Sequence, residues 1–367
     1  MKMKNRAAQF MSTVVVVLAA HLAPSAPTFA QTPDSLYVAD VGGNTVKRFG
    51  LQGQSLGTFV KSTSGLRGPR GLVFNQDGDL ILSDQNVQTS SNSDILEYDN
   101  TGQLLRRLVP HSDANAPVAS RGVILWRDAK TKQDFMFVAD FTTEPQANKQ
   151  PTPGRLLKYT ADGTFAGSFV PDFTFGTCAT STTQTTPAEF HPRAIVLGSD
   201  GLLYISNYPC LISGLRGQVL RFNPRTGHFV DTFVDSLNDL NRPEGLVFGP
   251  DGNLYITSFR AQAGDTDKIL VFQGPTGGSP GAYVDTIDLY TQGDDLHRVY
   301  AQALLFGPGG KLFVPISGAD PAQTGSVRRY DVSTKLFDVF VASGTVQAGW
   351  YLTFGQTNPS TLAYGSK

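Results

Sequence analysis

Pro243-Glu244-Gly245-Leu246-Val247-Phe248-Gly249-Pro250-Asp251-Gly252-Asn253-Leu254-Tyr255-Ile256-Thr257-Ser258 reads as two short apolar runs around a Pro-Asp-Gly turn. Each run is too short for a helix, and Asp251-Gly252 suits the left-handed backbone of a tight hairpin. The second run has five near-copies: Leu36-Tyr-Val-Ala-Asp40, Leu80-Ile-Leu-Ser-Asp84, Met136-Phe-Val-Ala-Asp140, Leu203-Tyr-Ile-Ser-Asn207 and Leu312-Phe-Val-Pro-Ile316. They begin 44 to 67 residues apart, which leaves room for more than one hairpin per repeat. The turn recurs as Asp77-Gly78, Asp200-Gly201 and Gly309-Gly310. An apolar run precedes most copies, at 72–74, 123–125, 195–197 and 304–306. Two more runs follow, with a turn of their own, as in 156–159, Asp162-Gly163 and 165–170. The repeating unit is therefore four strands, here a, b, c and d.

Four-stranded units repeated around an axis make a β-propeller, because packing blade on blade covers faces that one sheet leaves open. A β-sandwich predicts fewer strands and no fixed four-strand period. The first repeat starts at strand b, Leu36, and residues 352–354 match a strand a. The expected fold is thus all-β: a six-bladed propeller of four-stranded antiparallel blades, with the C-terminal strand joining the first blade. The trailing Leu362-Ala-Tyr364 resembles an unfinished b strand and keeps seven blades open. The a–b and c–d turns are short. The long insertions, at 85–94, 141–154, 171–192, 208–217, 259–267 and 289–300, fall between b and c or between d and a, on what should be one face. Insertions on one face of a repeat array mark a binding face. Residues 171–188 are rich in Thr and Ser and show no periodicity.

Length and composition agree with one exported domain. The chain has 367 residues, 17% charged against about 25% on average, with 38 Gly and 22 Pro. It is too apolar for a disordered chain, and a net charge of −1 argues against a nucleic-acid partner held by bulk charge. Lys2, Lys4 and Arg6, an apolar run from Phe10 to Leu22, and Thr28-Phe29-Ala30 before Gln31 form a secretory signal pattern. The apolar run is too short to span a membrane. The reading is a signal peptide at 1–30, then a single propeller domain at 31–367, monomeric, periplasmic or extracellular, with no integral membrane segment after cleavage. Cleavage removes three cations and no acid, taking the net charge from −1 to −4.

The residue two before the first apolar residue of each strand a should point into the channel mouth. Around the ring these are Arg70, Arg121, Arg193, Glu244, Gln302 and Trp350; two positions earlier come Gly68, Ala119, His191, Arg242, Tyr300 and Ala348. Guanidinium is a planar fork matched to carboxylate, phosphate or sulfate. One reading is an anion site. The other is structural pairing, the usual fate of buried charge, with Glu244 or with Asp40, Asp84 and Asp140 at the b-strand ends. Those acids, with Asn207, suggest either a calcium cage or caps on the loops that follow them; capping is the usual role of Asp at such a position. Trp350 is placed to stack on a sugar or another planar group, and Trp126 to pack.

Pro69-x-Gly71-Leu-x-Phe-x-x-Asp77-Gly78-x-Leu, repeated as Pro243-x-Gly245-Leu-x-Phe-x-Pro250-Asp-Gly252-Asn-Leu-Tyr, resembles the NHL-repeat propellers. It is similar as well to the wider six-bladed TolB-like superfamily of gluconolactonase-type and strictosidine-synthase-like proteins. The resemblance implies the fold over most of the mature chain, and its motifs are packing and turn residues. The lactonases hold a divalent metal through Glu, Asn and Asp at the mouth. This chain has Arg70, Arg193 and Glu244 there, of which only Glu244 is a ligand type, whereas a hard cation wants several oxygens. The related peptidyl-amidoglycolate lyases use His-bound zinc, and only His111, His191, His228 and His297 follow the signal. No cofactor is expected, with calcium or another divalent metal the remaining option.

His-Glu-x-x-His and a phosphate loop are absent. Cys178 and Cys210 lie in insertion-face loops of one blade and are placed either to form a disulfide, given an oxidising compartment, or to stay as two separate thiols. The sequence points to a binding module for an anionic small molecule or an extracytoplasmic protein. The alternative is a hydrolase or lyase in which Arg70, Arg121 and Arg193 hold an anion and Glu244 or His191 acts as general acid or base.

Overall fold

A computed structural model describes residues 34–365, apart from 88, 90, 142–153, 180–184, 211–215, 237–238, 263, 290–297 and 319–323 and the side chains of 179 and 185–187. The signal pattern at 1–30, His297 and parts of several insertions lie outside the described residues. Six four-stranded antiparallel sheets form the ring. In order a, b, c, d, blade 1 is Gly349–Phe354, Leu36–Asp40, Thr45–Phe49 and Ser55–Val60. Blade 2 is Pro69–Phe74, Leu80–Asp84, Asp94–Tyr98 and Leu104–Val109. Blade 3 is Ser120–Arg127, Asp134–Asp140, Arg155–Thr160 and Phe165–Phe169. Blade 4 is Pro192–Leu197, Leu203–Asn207, Gln218–Phe222 and Phe229–Val234. Blade 5 is Leu246–Phe248, Leu254–Ser258, Lys268–Phe272 and Tyr283–Asp288. Blade 6 is Leu305–Phe306, Leu312–Ile316, Ser326–Tyr330 and Phe337–Val341. Among the described residues no helix is long and apolar enough to cross a membrane.

The aromatic second residue of the b motif explains how blades join. Tyr37 sits edge-on between Phe59 of its own strand d and Phe74 of the next blade's strand a, at 4.9 and 4.8 Å between ring centres. Tyr204 repeats this with Phe233 and Phe248 at 4.9 and 5.0 Å, and Phe313 with Phe340 and Phe354 at 4.9 Å each. Edge-to-face pairs of this kind add about 0.5–1.5 kcal/mol beyond the area they bury. The third set crosses from blade 6 to blade 1, so the joint made by the two chain ends is packed like the others. Glycines let the backbones meet: a Cβ on Gly102, at φ +84°, would stand 1.9 Å from the Phe59 carbonyl oxygen of the preceding blade.

Leu362-Ala-Tyr364 is not a strand of a seventh blade. It forms one isolated bridge, Thr357 with Tyr364, inside a compact turn. That turn crosses the face opposite the insertions. Leu125 of blade 3 donates its N–H to Pro359 O at 3.0 Å and Leu197 of blade 4 to Ser360 O at 3.0 Å. Leu362, at φ +56°, packs against four hydrophobic clusters that together draw on all six blades. An apolar residue near a chain end fits a strand or a plug equally well in sequence; the positive φ, unfavourable in a strand, separates them. The stretch 171–188, expected to be irregular, includes a small hairpin pairing Thr177–Ala179 with Thr185–Pro187.

Candidate functional site: the channel mouth

The local structure of strand a places the mouth residues. In blades 1 to 4 the a–b register breaks at the x-Gly pair or its equivalent: between Pro69 and Leu72, Ser120 and Val123, Pro192 and Ile195, and opposite Val38 and Asp40. An extra residue in a strand re-aims a side chain, and here it turns the x residue toward the axis. The following small residue allows the inner strands to touch: a Cβ on Gly71 would lie 2.6 Å from Arg121 O, and one on Gly245 2.6 Å from Ala303 Cα. Motif hydroxyls then tie the x residues of neighbouring blades. Ser83 Oγ donates to Arg121 O at 2.7 Å, and Ser206 Oγ donates to Glu244 O at 2.8 Å.

The b-strand acids do not mainly cap the loops that follow them. They accept amides from the d–a loop that leads into the same blade's strand a. Asp84 takes Arg67 N–H on both oxygens at 3.0 and 2.9 Å, Asp140 takes Ala119 N–H at 2.8 Å, and Asn207 takes His191 N–H at 2.7 Å. Asp40 takes Ala348 N–H at 2.9 Å and, in its own loop, Gly43 N–H at 3.3 Å. The loop that approaches strand a crosses the b-strand end in the pleated blade, which is why its amides are nearer. These acids are committed to backbone rather than to the arginines, except Asp140, which also pairs with Arg155 at 3.1 Å. Among the described residues no group of three His, Cys, Asp or Glu is arranged to hold a metal.

Five of the expected residues come together. Arg121, Arg193 and Arg70 are 0, 1 and 3% exposed. The Arg70 guanidinium lies 3.8 Å from the centre of the Trp350 ring and Arg121 4.9 Å from it. Phe141 continues the arc, with Arg121 at 5.2 Å and Arg193 at 3.6 Å. Arg193 is ion-paired to Glu244 at 3.0 Å, and Arg70 Nε donates to Gln85 Oε1 at 2.6 Å. Trp350 thus carries guanidinium on its ring, where a sugar face was expected. Arg193 therefore has the carboxylate that structural pairing calls for, and three cations converge on two aromatic rings.

The other expected residues stand around this arc. His191 lies behind Phe141 at 5.4 Å; its Nδ1 contacts Tyr208 O at 2.8 Å and its Nε2 Glu189 at 3.3 Å. Burial lowers its pKa from the usual imidazole value, against the raising effects of Tyr208 O and Glu189. Arg242, at φ +47°, lies over Tyr208 at 5.2 Å. Tyr300, at φ +46°, faces Phe259 at 5.8 Å and Arg298 at 4.1 Å, and Arg298 pairs with Asp267 at 3.2 Å, so Tyr300 belongs to a separate cluster. Gln302 holds the equivalent position in blade 6 and is buried. Cys178 and Cys210 form a disulfide that joins the 177–187 hairpin to the loop after strand b of blade 4. With Ala188 they make a small apolar cluster close in sequence to His191.

Sequence reasoning missed Tyr351, Phe141, Tyr208 and Gln85. Tyr351 closes the channel: its hydroxyl reaches across the ring from blade 1 to donate to Arg193 O of blade 4 at 3.3 Å. Burial raises its pKa above the usual phenol value, as does the Glu244 charge, against Arg121, Arg193 and Arg70, so four charges surround one floor. Beneath it an apolar space of about 30 Å³ runs down to Leu362. The signal was available, because Tyr351 stands where the other blades have Gly71, Gly122, Ala194, Gly245 and Ala303. Gln85, Phe141 and Tyr208 all follow the last b-strand residue directly, at one fixed offset.

No family model matches this sequence, and no curated protein matches it. Solved structures do. The luciferin-regenerating enzyme is 13% identical with 92% of each chain covered and a TM-score of 0.50. A provisionally assigned 6-phosphogluconolactonase from Bacteroides uniformis is 14% identical, with 88% of this chain and 100% of that one covered and a TM-score of 0.50. A provisionally assigned gluconolactonase is 14% identical over 78% of this chain and 91% of that one, with a TM-score of 0.43. At these identities the likeness is one of fold: a six-bladed propeller whose structural neighbours include gluconolactonase-like proteins.

Proposed function

We propose that the chain is an exported, NHL-type propeller that binds an anionic small molecule, or an anionic group of a protein partner, at the insertion-side mouth. One observation carries the reading: Arg70, Trp350, Arg121, Phe141 and Arg193 alternate as cation and ring around a floor closed by Tyr351. Cation–ring contacts hold guanidinium planes in place and strengthen where water is excluded. Arg so held offers a rigid fork to an oxyanion. Tyr351 closes the floor, so the mouth does not continue as an open pore. Binding fits better than acid–base chemistry, because Glu244 is held in an ion pair and both His191 nitrogens are engaged. The Pro-x-Gly and Asp-Gly repeats support the NHL assignment, and the signal pattern supports export.

The chain has two tryptophans, Trp126 and Trp350, so Trp126→Phe leaves Trp350 as the reporter of the mouth. Titration of this variant with sulfate, phosphate and citrate should give a saturable change in emission. Arg121→Gln should weaken it by about tenfold, the scale of one charge-assisted hydrogen bond. A flat response to all three anions from a folded protein would assign the arginines to structure alone. Intact mass of the exported protein should place the first residue at Gln31; retention of residues 1–30 would overturn the export reading.

A further inference from the structure

The far face carries a second site type. Between blades 2 and 3, opposite the insertions, lies a groove of about 580 Å³, open on one side. That volume falls in the range of small-molecule pockets. Its inner wall is the C-terminal turn, residues 358–360, so the groove depends on the same segment that seals the channel. Its apolar wall is Trp126 with Phe135, stacked at 5.7 Å and 29°. Lys158, which does not line the groove, steadies these rings: its Nζ sits 4.0 Å from the Phe135 ring and donates to Pro224 O at 3.0 Å. The polar wall alternates acid and base. Glu97, almost buried, pairs with Arg106, and Arg127 pairs with Asp134 at 2.9 Å with both side chains about half exposed.

We propose that this groove binds a neutral saccharide unit. The two ion pairs cancel and the exposed Asp77 adds one carboxylate at the rim, so an anion is disfavoured and no concentrated charge selects a cation. Each pair instead sets strong acceptors beside strong donors, the arrangement that matches vicinal hydroxyls, which donate and accept at once. Bonds to charged partners are the stronger kind. The aromatic wall takes the C–H face that a sugar ring presents. The comparable hollow across blades 4, 5 and 6, of about 420 Å³, is lined by Leu197, Phe248, Pro250 and Phe306 and by no charged side chain, and it lacks this recognition chemistry.

The test uses the other single-tryptophan form, Trp350→Phe, in which Trp126 reports the groove. Glucose, galactose, mannose, xylose and N-acetylglucosamine are titrated to 100 mM by fluorescence, with saturation-transfer NMR in parallel. At least one sugar should give a saturable change in Trp126 emission. Arg127→Ala with Asp134→Ala, both half-exposed positions, should weaken it about tenfold or more with the circular dichroism unchanged. If none of the five binds, or if binding survives the double substitution, the assignment is wrong. The mouth is read through Trp350 and the groove through Trp126, so failure of one site leaves the other standing.

Discussion

Gly71→Ala tests how strand a builds the mouth. The added methyl would stand 2.6 Å from Arg121 O, 2.7 Å from Val123 N and 3.0 Å from Gly122 C. Real Cβ contacts to backbone atoms start at about 3 Å, so something must move by about 0.4 Å or more. All three neighbours are backbone of the next inner strand, and that strand meets Ala194 in the same way through Gly122, whose own Cβ would lie 3.0 Å from Ala194 Cα. No flexible side chain is available to absorb the strain. Overpacking a filled interior costs about 1–3 kcal/mol, and a backbone neighbour in a closed ring puts this site toward the upper end. The same shift moves Arg70 and Arg121 apart over Trp350, so anion binding should fall with stability. Gly278→Ala is the control: its Cβ meets nothing within 4 Å and its φ is not positive. Urea unfolding followed by circular dichroism, with melting temperature in parallel, reads the difference. A Gly71→Ala protein with the wild-type midpoint and wild-type anion response would refute the account of the inner ring.

Three further outcomes are expected. Leu362→Ala should lower stability by about 1–3 kcal/mol, below the 2–5 of a fully buried leucine because Leu362 is only partly buried; calorimetry checks this. Reducing the Cys178–Cys210 disulfide opens a sequence separation of 32 residues and should cost up to about 3–4 kcal/mol on the chain-entropy estimate, seen as a lower melting temperature in dithiothreitol. The Asp84 carboxyl is pushed up to about 7 by burial, with the Arg67 N–H opposing and Asp94 adding to the rise. A raised folded pKa adds stability below the unfolded value, near 4, and that contribution is lost as pH rises through 7. Wild type minus Asp84→Asn stability, measured by denaturant at steps from pH 4 to pH 8, should therefore fall across that window.

Much of the ring was legible because each rule is local. The aromatic of Leu-Tyr-Ile, the Asp-Gly turn and the Pro-x-Gly stretch act within one blade or on its neighbour, and six copies of a weak signal make a strong one. The ring partners of the arginines were not legible in the same way. Phe141 and Tyr208 share a fixed offset after strand b, but their residue types match core aromatics and only the fold shows that the offset meets the arginines. Asp84, Asp140 and Asn207 hold the d–a loop instead of the loop that follows them, because sequence distance favours the following loop while the pleated blade brings the d–a loop nearer; Asp40 holds both. Tyr351 was visible as an exception to a repeated small residue, and exceptions to a repeat carry information about the axis that the repeat itself does not.

The two halves of the Pro-x-Gly stretch divide the work. The small residue and the b-strand hydroxyl fix the inner strands against one another through backbone contacts, as with Gly71 against Arg121 O and Ser83 Oγ on the same oxygen. None of these contacts uses the side chain at x. The chemistry at x is thereby freed from the task of closing the ring, and the six blades present three arginines, a glutamate, a glutamine and a tryptophan on one scaffold. The exception is Arg193 with Glu244, where two x residues of adjacent blades neutralise one another in a buried setting. Removing one partner of such a pair costs about 3–5 kcal/mol, whereas replacing both with apolar residues is close to neutral. Arg193→Met with Glu244→Leu should therefore be far more stable than either single variant in urea unfolding. If the double variant falls as low as the singles, the x residues are themselves part of what holds the ring, and the separation of scaffold from chemistry fails.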